Sequence, residues 1–111
     1  MIVAHGNGTR QSDTSEANAL HRVFGSAMPP ITAFKWSIGH LIAAAGIAET
    51  VVALEALAKR IVPGVATLVT LDPDCGDLPI STEAQVPRSN VAMVLCRGFA
   101  GTDAALIVRG A

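Results

Sequence analysis

Charge of either sign is scarce in this chain, and no charged tract stands out. Its 111 residues carry eight Lys or Arg and nine Asp or Glu, for a net charge of −1. That balance offers no basic surface for nucleic acid and no polybasic patch for anionic lipid. We therefore expect no nucleic-acid partner. Single Arg and Lys side chains still suffice to contact an acidic partner locally.

Cysteines and long apolar runs are also few. Cys75 and Cys96 are the only cysteines, and no Cys-x-x-Cys occurs, so we expect no metal site. Two reduced thiols fit a cytoplasmic protein better than a disulfide does. Residues 1–10 lack the basic and apolar regions of a signal peptide. The longest apolar stretch, residues 41–48, falls short of the about 20 residues that span a bilayer. The sequence thus predicts a soluble, cytoplasmic protein with no membrane segment.

The length fits one domain, residues 1–111, whose first half alternates strand and helix signals. An apolar strand over residues 2–4 ends at the glycine-bearing segment 5–9. Helical apolar spacing predicts a helix over residues 14–24, with Asp13 and Glu16 spaced as in a capping box. A short strand at residues 31–34 comes after two prolines.

The second half contains the strongest helix signal and a terminal hairpin. Residues 35–39 predict a polar turn, and residues 40–60 predict a helix that is apolar on nearly all sides up to Glu49. Residues 65–90 are rich in Pro, Asp and Gly and predict an irregular surface excursion. Two β-rich runs, residues 90–96 and 104–109, are separated by a turn, which predicts a hairpin.

The resulting order, β-α-β-α-loop-β-β, is typical of the α/β class. Alternating strands and helices predict a largely parallel sheet, and the last two strands add an antiparallel pair, which makes the sheet mixed. We expect both helices to cover the sheet, the second more deeply buried than the first.

Three histidines occur, and two of them lie where chemistry is expected. His21 falls inside the first predicted helix among polar neighbours and is predicted to be a plain surface residue. His5 and His40 each stand between an element and a glycine-bearing turn, where α/β sheets place ligand-contacting groups. Lys35 lies nearby in the sequence. Imidazole groups are suited to hydrogen-bonding an enolate or an oxyanion at neutral pH.

Four segments resemble motifs of the β-ketoacyl-acyl-carrier-protein synthases, and they occur in that family's order. Residues 5–9, HGNGT, resemble the segment His-Gly-Thr-x-Thr. Lys35-x-x-x-Gly-His40, continuing through Ala-Ala-Gly to Glu49, is similar to the family's lysine and second-histidine segment. Residues 71–75, LDPDC, resemble Pro-Asp-Pro-x-Cys, and residues 98–104, GFAGTDA, resemble Gly-Phe-Gly-Gly-x-Asn-Ala.

The resemblance implies a thiolase-like fold, which in full has two stacked βαβαβαββ halves. This chain would supply the C-terminal βαβαββ portion and would be incomplete relative to the family. It also implies a decarboxylative Claisen condensation, in fatty acid or polyketide synthesis. A Cys thiolate takes an acyl group from an acyl-carrier-protein thioester. Malonyl-carrier protein loses CO₂, and the resulting carbanion attacks the acyl group on the cysteine. No cofactor is implied, because phosphopantetheine is carried by the acyl carrier protein.

The resemblance also implies roles for residues of this chain. His5 and His40 are the implied active-site histidines, which hydrogen-bond the malonyl thioester carbonyl. Lys35 matches the active-site lysine, and Glu49 matches its buried acidic partner, which an ion pair removed from water requires. Thr9 matches a threonine that hydrogen-bonds the phosphopantetheine arm.

Several positions depart from the family pattern. Asn7 replaces the first threonine of the pantetheine-binding pair. Arg97, two residues before Phe99, stands where the family has the phenylalanine that gates the acyl pocket. Arginine can occupy an apolar gate only if its guanidinium is exposed or paired. Cys75 is expected to be a packed, unreactive thiol, and Cys96 is not expected to be a nucleophile, since the nucleophilic cysteine belongs to the family's N-terminal half.

Two interpretations of the function remain open at this point. In the first, the chain is the C-terminal part of a ketosynthase, inactive alone, whose partners are acyl carrier protein and the missing N-terminal half. In the second, it is a non-catalytic subunit similar to a chain-length factor, which pairs with an active ketosynthase subunit. In both, one helix face and one sheet face should expose apolar surface, so we expect self-association of the chain. In the first interpretation the full enzyme is expected to be a homodimer.

Overall fold

The computed structural model describes residues 1–111, which form a four-stranded sheet with helices on both faces. The elements in chain order are β1 (Ile2–Val3), α1 (Arg10–Phe24), β2 (Ile31–Thr32), α2 (Lys35–Ile38), α3 (Ala45–Ala58), β3 (Val91–Arg97) and β4 (Asp103–Arg109). The strand order is β2-β1-β3-β4. Strand β1 is parallel to both neighbours, and β3 pairs antiparallel with β4 from Val91–Arg109 to Arg97–Asp103. The predicted mixed α/β sheet and terminal hairpin are confirmed.

Successive residues of each strand point to opposite faces, which divides the core in two. On one face, Val3 and Val94 pack in a cluster with Ala53 and Leu57 of α3. On the other face, Ile2 and its neighbours pack in a cluster with Leu20 of α1. Both helices therefore cover the sheet, as the sequence predicted, and the structure places them on opposite faces.

Helix α1 begins at Arg10, earlier than predicted, and the predicted capping box is absent. Thr9 occupies the N-cap position without a side-chain hydrogen bond to the helix. The Glu16 carboxylate does not cap the helix. It accepts hydrogen bonds from the backbone N–H groups of His5 (2.7 Å) and Gly6 (3.0 Å). The capping-box prediction was wrong because these loop N–H groups, which come after a buried strand, need an acceptor and bind the carboxylate instead.

The predicted helix over residues 40–60 is interrupted in its first part. Lys35–Ile38, predicted as a turn, forms the short helix α2, which ends at Gly39 with φ of 75°. A 3-10 turn over Ile42–Ala44 comes next, and α3 proper begins only at Ala45. Left-handed backbone at Gly39 and at Ile42 (φ 52°) separates the two helices. Apolar periodicity alone does not reveal such a break.

Helix α3 is more deeply buried than α1, as predicted, but only on one side. Five of its residues are buried, against three in α1. Its opposite side exposes Ile47 and Val51. Strand β4 is almost wholly exposed along its length and carries Leu106 and Ile107 on its two faces. The expected apolar surfaces on helix and sheet are therefore present in this chain.

Residues 65–90 form the irregular excursion that the sequence predicted. They contain one 3-10 turn, Pro73–Cys75, and single β-bridges at Ile80 and Gln85. The excursion is tied to α1, where His21 Nε2 lies 3.0 Å from the carbonyl oxygen of Cys75. The prediction that His21 is a plain surface residue was wrong, because this contact leaves it partly buried.

Both cysteines are free. Cys75 is a buried thiol, as expected, and burial raises its pKa. No helix of the structure combines the length and the apolar character that crossing a membrane requires.

We predict that the chain self-associates through its exposed apolar surfaces and that Val51→Lys weakens this. Val51 is 60% exposed on the open side of α3, so a lysine there adds charge where apolar area is buried on association. Sedimentation velocity at micromolar concentration should show oligomers of the wild-type chain and a shift towards monomer in the variant. The matched control is Val69→Lys, since Val69 is 95% exposed in the irregular excursion. A wild-type chain that sediments as a clean monomer would contradict the prediction.

Candidate active site

The fold brings His5 and His40 together, although 35 positions separate them in the sequence. His5 lies two residues past the buried strand β1 and is itself 2% exposed. His40 comes after α2 and is exposed at the surface of the same cleft. The two ring centroids are 5.3 Å apart, and the rings meet edge to face at 76°.

Backbone N–H groups fix the tautomers of both rings. Arg97 N–H donates to His5 Nδ1 at 3.2 Å, and Ile42 N–H donates to His40 Nδ1 at 3.0 Å. A neutral imidazole whose Nδ1 accepts a hydrogen bond carries its proton on Nε2. Each histidine can therefore offer one Nε2–H donor, and this pair of donors suits an oxygen that gains negative charge.

The backbone of Ile42 is strained, and the strain serves this contact. Its φ of 52° lies in the left-handed region, which a β-branched residue rarely adopts. In this conformation its N–H reaches the ring of His40, two residues earlier. Such strained residues cluster at functional sites, where the surrounding structure holds them in place.

A buried ion pair lies behind the histidines. Lys35 Nζ in α2 contacts Glu49 Oε1 in α3, and their side chains are only 4% and 1% exposed. The second oxygen, Glu49 Oε2, is buried without a hydrogen-bond partner. Neither residue lines the cleft itself. The pair therefore acts on the site through its position and its field.

The surroundings of His5 keep it neutral. Burial is the largest cause, and together with the positive charge of Lys35 and the neighbourhood of His40 and Arg97 it lowers the pKa of His5 to about 4. At pH 7 the ring is thus a neutral hydrogen-bond donor. It is not a cation that would lose its proton during a reaction.

Two carboxyl groups support the loop that carries His5. Burial raises the pKa of Glu16, although the N–H groups of Gly6 and His5 partly offset this. Burial also raises the pKa of Asp13. Sequence reasoning missed the role of Glu16, because it assigned the residue to a cap. The signal that could have indicated this role is the position of a carboxylate in the helix that follows the His5 loop, where it can accept from the loop N–H groups.

Asn7 and Thr9 are hydrogen-bonded to each other in the loop. Asn7 Oδ1 accepts from Thr9 N–H at 2.9 Å and from the Thr9 hydroxyl at 2.8 Å. The Asn7 amide N–H₂ and the lone pairs of the Thr9 hydroxyl remain available at the cleft wall. Asparagine in place of threonine therefore keeps both donor and acceptor groups at this position.

Arg97 and Phe99 also border the cleft. The Arg97 guanidinium is paired, as an arginine at an apolar position requires. It donates to Asp103 Oδ1 (3.2 Å), to the carbonyl oxygen of Ser12 (2.9 Å) and to Ser15 Oγ (3.4 Å). Phe99 is 95% exposed in the 3-10 turn Phe99–Gly101. The cleft residues predicted from the sequence are His5, Asn7, Thr9, His40, Arg97 and Phe99.

Known proteins are similar to this chain in both sequence and fold. The family described as "Beta-ketoacyl synthase, C-terminal domain" matches residues 1–68. The chain belongs to the β-ketoacyl synthase family. It is 34% identical over 99% of its length to the actinorhodin polyketide putative β-ketoacyl synthase 1 of Streptomyces coelicolor. It is 33% identical over 96% of its length to the 3-oxoacyl-[acyl-carrier-protein] synthase 1 of Escherichia coli.

Solved ketosynthases share the fold, which is thiolase-like. The ishigamide ketosynthase/chain length factor superimposes with a TM-score of 0.91 at 30% identity, over 99% of this chain and 27% of that one. A type II polyketide ketosynthase in complex with its acyl carrier protein, bound to the hexaketide, gives a TM-score of 0.90 at 32% identity. There the match covers 99% of this chain and 28% of the other. The chain spans about a quarter of the curated relatives, 24% and 26% of the two named above.

Removing one member of the Lys35–Glu49 pair should destabilise the fold. In Glu49→Leu the buried ammonium group of Lys35 loses its partner, and the free energy of unfolding should fall by about 3–5 kcal/mol. The double variant Lys35→Met/Glu49→Leu should recover most of the loss. Urea unfolding followed by circular dichroism measures both changes.

The exposed pair Glu55–Lys59, at 2.9 Å, provides the control for this experiment. Glu55→Gln should change the free energy of unfolding by no more than about 0.5 kcal/mol, because solvent screens exposed pairs. Equal losses in Glu55→Gln and Glu49→Leu would contradict the structural role of the buried pair.

The low pKa of His5 predicts a specific pH dependence of stability. Below about pH 6.5 the unfolded chain binds a proton at His5, whereas the folded chain does not bind it until about pH 4. Its contribution to stability is therefore complete above pH 6.5 and is lost as the pH falls to 4. Relative to His5→Gln, the wild type should lose free energy of unfolding over this range in urea titrations. Parallel pH profiles would contradict the assignment.

Proposed function

We propose that residues 1–111 act as a C-terminal ketosynthase domain that supplies the decarboxylating part of a condensing site. The observation that carries the proposal is the pair of adjacent imidazoles, each of which accepts a backbone N–H at Nδ1 and so directs Nε2 to act as the donor. Two donors at one cleft can hold a single carbonyl oxygen. The fatty acid and polyketide synthases among the relatives support this choice.

In the proposed reaction, the thioester carbonyl oxygen of malonyl-carrier protein accepts hydrogen bonds from His5 and His40. The bond from the malonyl α-carbon to its carboxylate breaks, CO₂ leaves, and the electron pair passes into an enolate held by the two Nε2–H donors. The enolate carbon then attacks the carbonyl of an acyl group held on a cysteine, and that cysteine thiolate leaves. The nucleophilic cysteine is contributed by the N-terminal half of the site.

Lys35, with Glu49, contributes electrostatics in this scheme. Its charge opposes protonation of His5 and so helps keep that ring a neutral donor. Asn7 and Thr9 are proposed to hydrogen-bond the phosphopantetheine arm as it enters the cleft, through the amide and hydroxyl groups left free by their mutual bond. The arm belongs to the carrier protein, so the domain needs no cofactor of its own.

The proposed partners rest on the same interpretation. A matched structure is titled as a ketosynthase in complex with its acyl carrier protein, which supports the carrier protein as partner. The other partner is an N-terminal ketosynthase half, or a homologous subunit, that covers the exposed side of α3. We place the assembled homodimeric enzyme in the cytoplasm.

The test uses the chain alone and then together with the N-terminal half of a β-ketoacyl synthase. The chain alone should form no acyl-enzyme when it is mixed with acyl-loaded carrier protein. It should also release no CO₂ from malonyl-carrier protein. Together with that half, CO₂ release and condensation should appear. His5→Ala or His40→Ala should each lower them by about 10²–10³-fold, the typical effect of losing one oxyanion donor. His21→Ala, outside the cleft, is the matched control.

Acyl-enzyme formation on the isolated chain would overturn the proposal that the nucleophilic cysteine comes from the N-terminal half. Full CO₂ release by the His5→Ala assembly would overturn the role of the imidazoles.

A second candidate function is that of a non-catalytic subunit resembling a chain-length factor. A matched structure titled as a ketosynthase/chain length factor favours it. The intact pair His5 and His40 argues against it. Capture of an already complete ketosynthase by this chain, with product length altered and His5→Ala without effect, would support this second function over the first.

A further inference from the structure

We propose that the Arg97 side chain is a positioning group for His5, acting as a latch between α1, β3 and β4. Arg97 ends strand β3, and its own backbone N–H is the donor that fixes the His5 ring. Its guanidinium binds two other elements at the same time. The proposal deepens the proposed function, on which it rests, because it concerns which nitrogen of His5 faces the substrate.

The residues immediately after Arg97 create the need for a latch. Gly98 and all three residues of the 3-10 turn Phe99–Gly101 are exposed. Ala100 in this turn has left-handed backbone with φ of 56°, where an L-residue with a Cβ is strained. The segment after Arg97 therefore adds little apolar packing that could hold the carboxyl end of β3 beside the His5 loop.

The guanidinium supplies that missing attachment. It reaches across 85 and 82 sequence positions to the Ser12 carbonyl oxygen and Ser15 Oγ in α1. It also closes the β3–β4 hairpin through Asp103, its partner in the strand register. Helix α1 in turn carries Glu16, which accepts from the N–H groups of the His5 loop. The His5 loop and the Arg97 N–H are thus both attached to the same helix.

The contact to be protected is sensitive to small movements. The Arg97 N to His5 Nδ1 distance is 3.2 Å, at the long end of the hydrogen-bonding range, so a shift of a few tenths of an ångström weakens it steeply. Without it, His5 is free to adopt the Nδ1–H tautomer, which would withdraw one of the two Nε2–H donors. Arg97 thereby acts through His5 and is a positioning residue.

The test monitors the His5 ring and the Arg97 amide by NMR in the 111-residue chain. Long-range ¹H–¹⁵N spectra of the wild type at pH 7 should show His5 almost wholly as the Nε2–H tautomer. In Arg97→Ala, which keeps the backbone N–H, the Nδ1–H form should become detectable. Exchange of the residue 97 amide should accelerate about tenfold, because the three anchoring hydrogen bonds are lost. Arg97→Lys should restore part of this protection, since one ammonium group can replace only part of the fork.

Matched variants separate positioning from general effects. Arg109→Ala removes the same side chain from exposed β4 and should leave both readouts unchanged. Asp103→Asn keeps Arg97 but removes its charged partner, so amide exchange should accelerate about two- to fivefold. The His5 titration midpoint should rise in Arg97→Ala and fall in Asp103→Asn, because the two groups shift it in opposite directions.

If Arg97→Ala fails to fold, Asp103→Asn and Arg97→Lys test the proposal through the same two measurements, the His5 tautomer and the exchange rate of the residue 97 amide. The proposal would be overturned if the folded variants at Arg97 and Asp103 showed the same His5 tautomer and the same amide exchange as Arg109→Ala. No turnover is measured, so failure here leaves the proposed condensing role standing. Failure of the activity test would remove the proposed role of the His5 tautomer in the reaction, whereas the effect of Arg97 on that tautomer would still be decided by NMR.

Discussion

A lysine and a glutamate that are both buried away from water must form an ion pair, and the site depends on that constraint. Lys35 and Glu49 join α2 to α3, the two helices on either side of the segment that carries His40. Their contact holds the ends of that segment while its backbone passes through left-handed conformations at Gly39 and Ile42. The same buried lysine charge opposes protonation of His5. One ion pair therefore holds one histidine in place and helps keep the other neutral.

The fold was largely accessible from the sequence, because apolar periodicity and turn residues are local signals. The mixed sheet, the terminal hairpin and the irregular residues 65–90 were predicted from them. The helix over residues 40–60 was not predicted correctly, since the left-handed backbone at Ile42 accompanies a hydrogen bond from its N–H to the His40 ring, which apolar periodicity does not report. The start of α1 was also missed, because Glu16 serves the loop before it and not the helix.

The site was predictable in its membership but not in its hydrogen bonds. Ordered motifs pointed to His5, His40, Lys35 and Glu49, and the structure brings both pairs together. The partners of Arg97 in α1 lie more than eighty positions away, and no spacing rule reports such contacts. Tautomers are likewise absent from a sequence, because the backbone conformation decides which N–H reaches each ring.

The donors that fix both imidazoles are main-chain groups, and this affects how the family can vary. A backbone N–H survives every substitution at its position except proline. A substitution at residue 42 or 97 therefore keeps the donor group itself, although the proposed Arg97 latch also holds the residue 97 donor beside His5. Here Arg97 stands where relatives of this kind are expected to have phenylalanine. Hydrogen-bond donors of this kind can persist when the side chains at their own positions change.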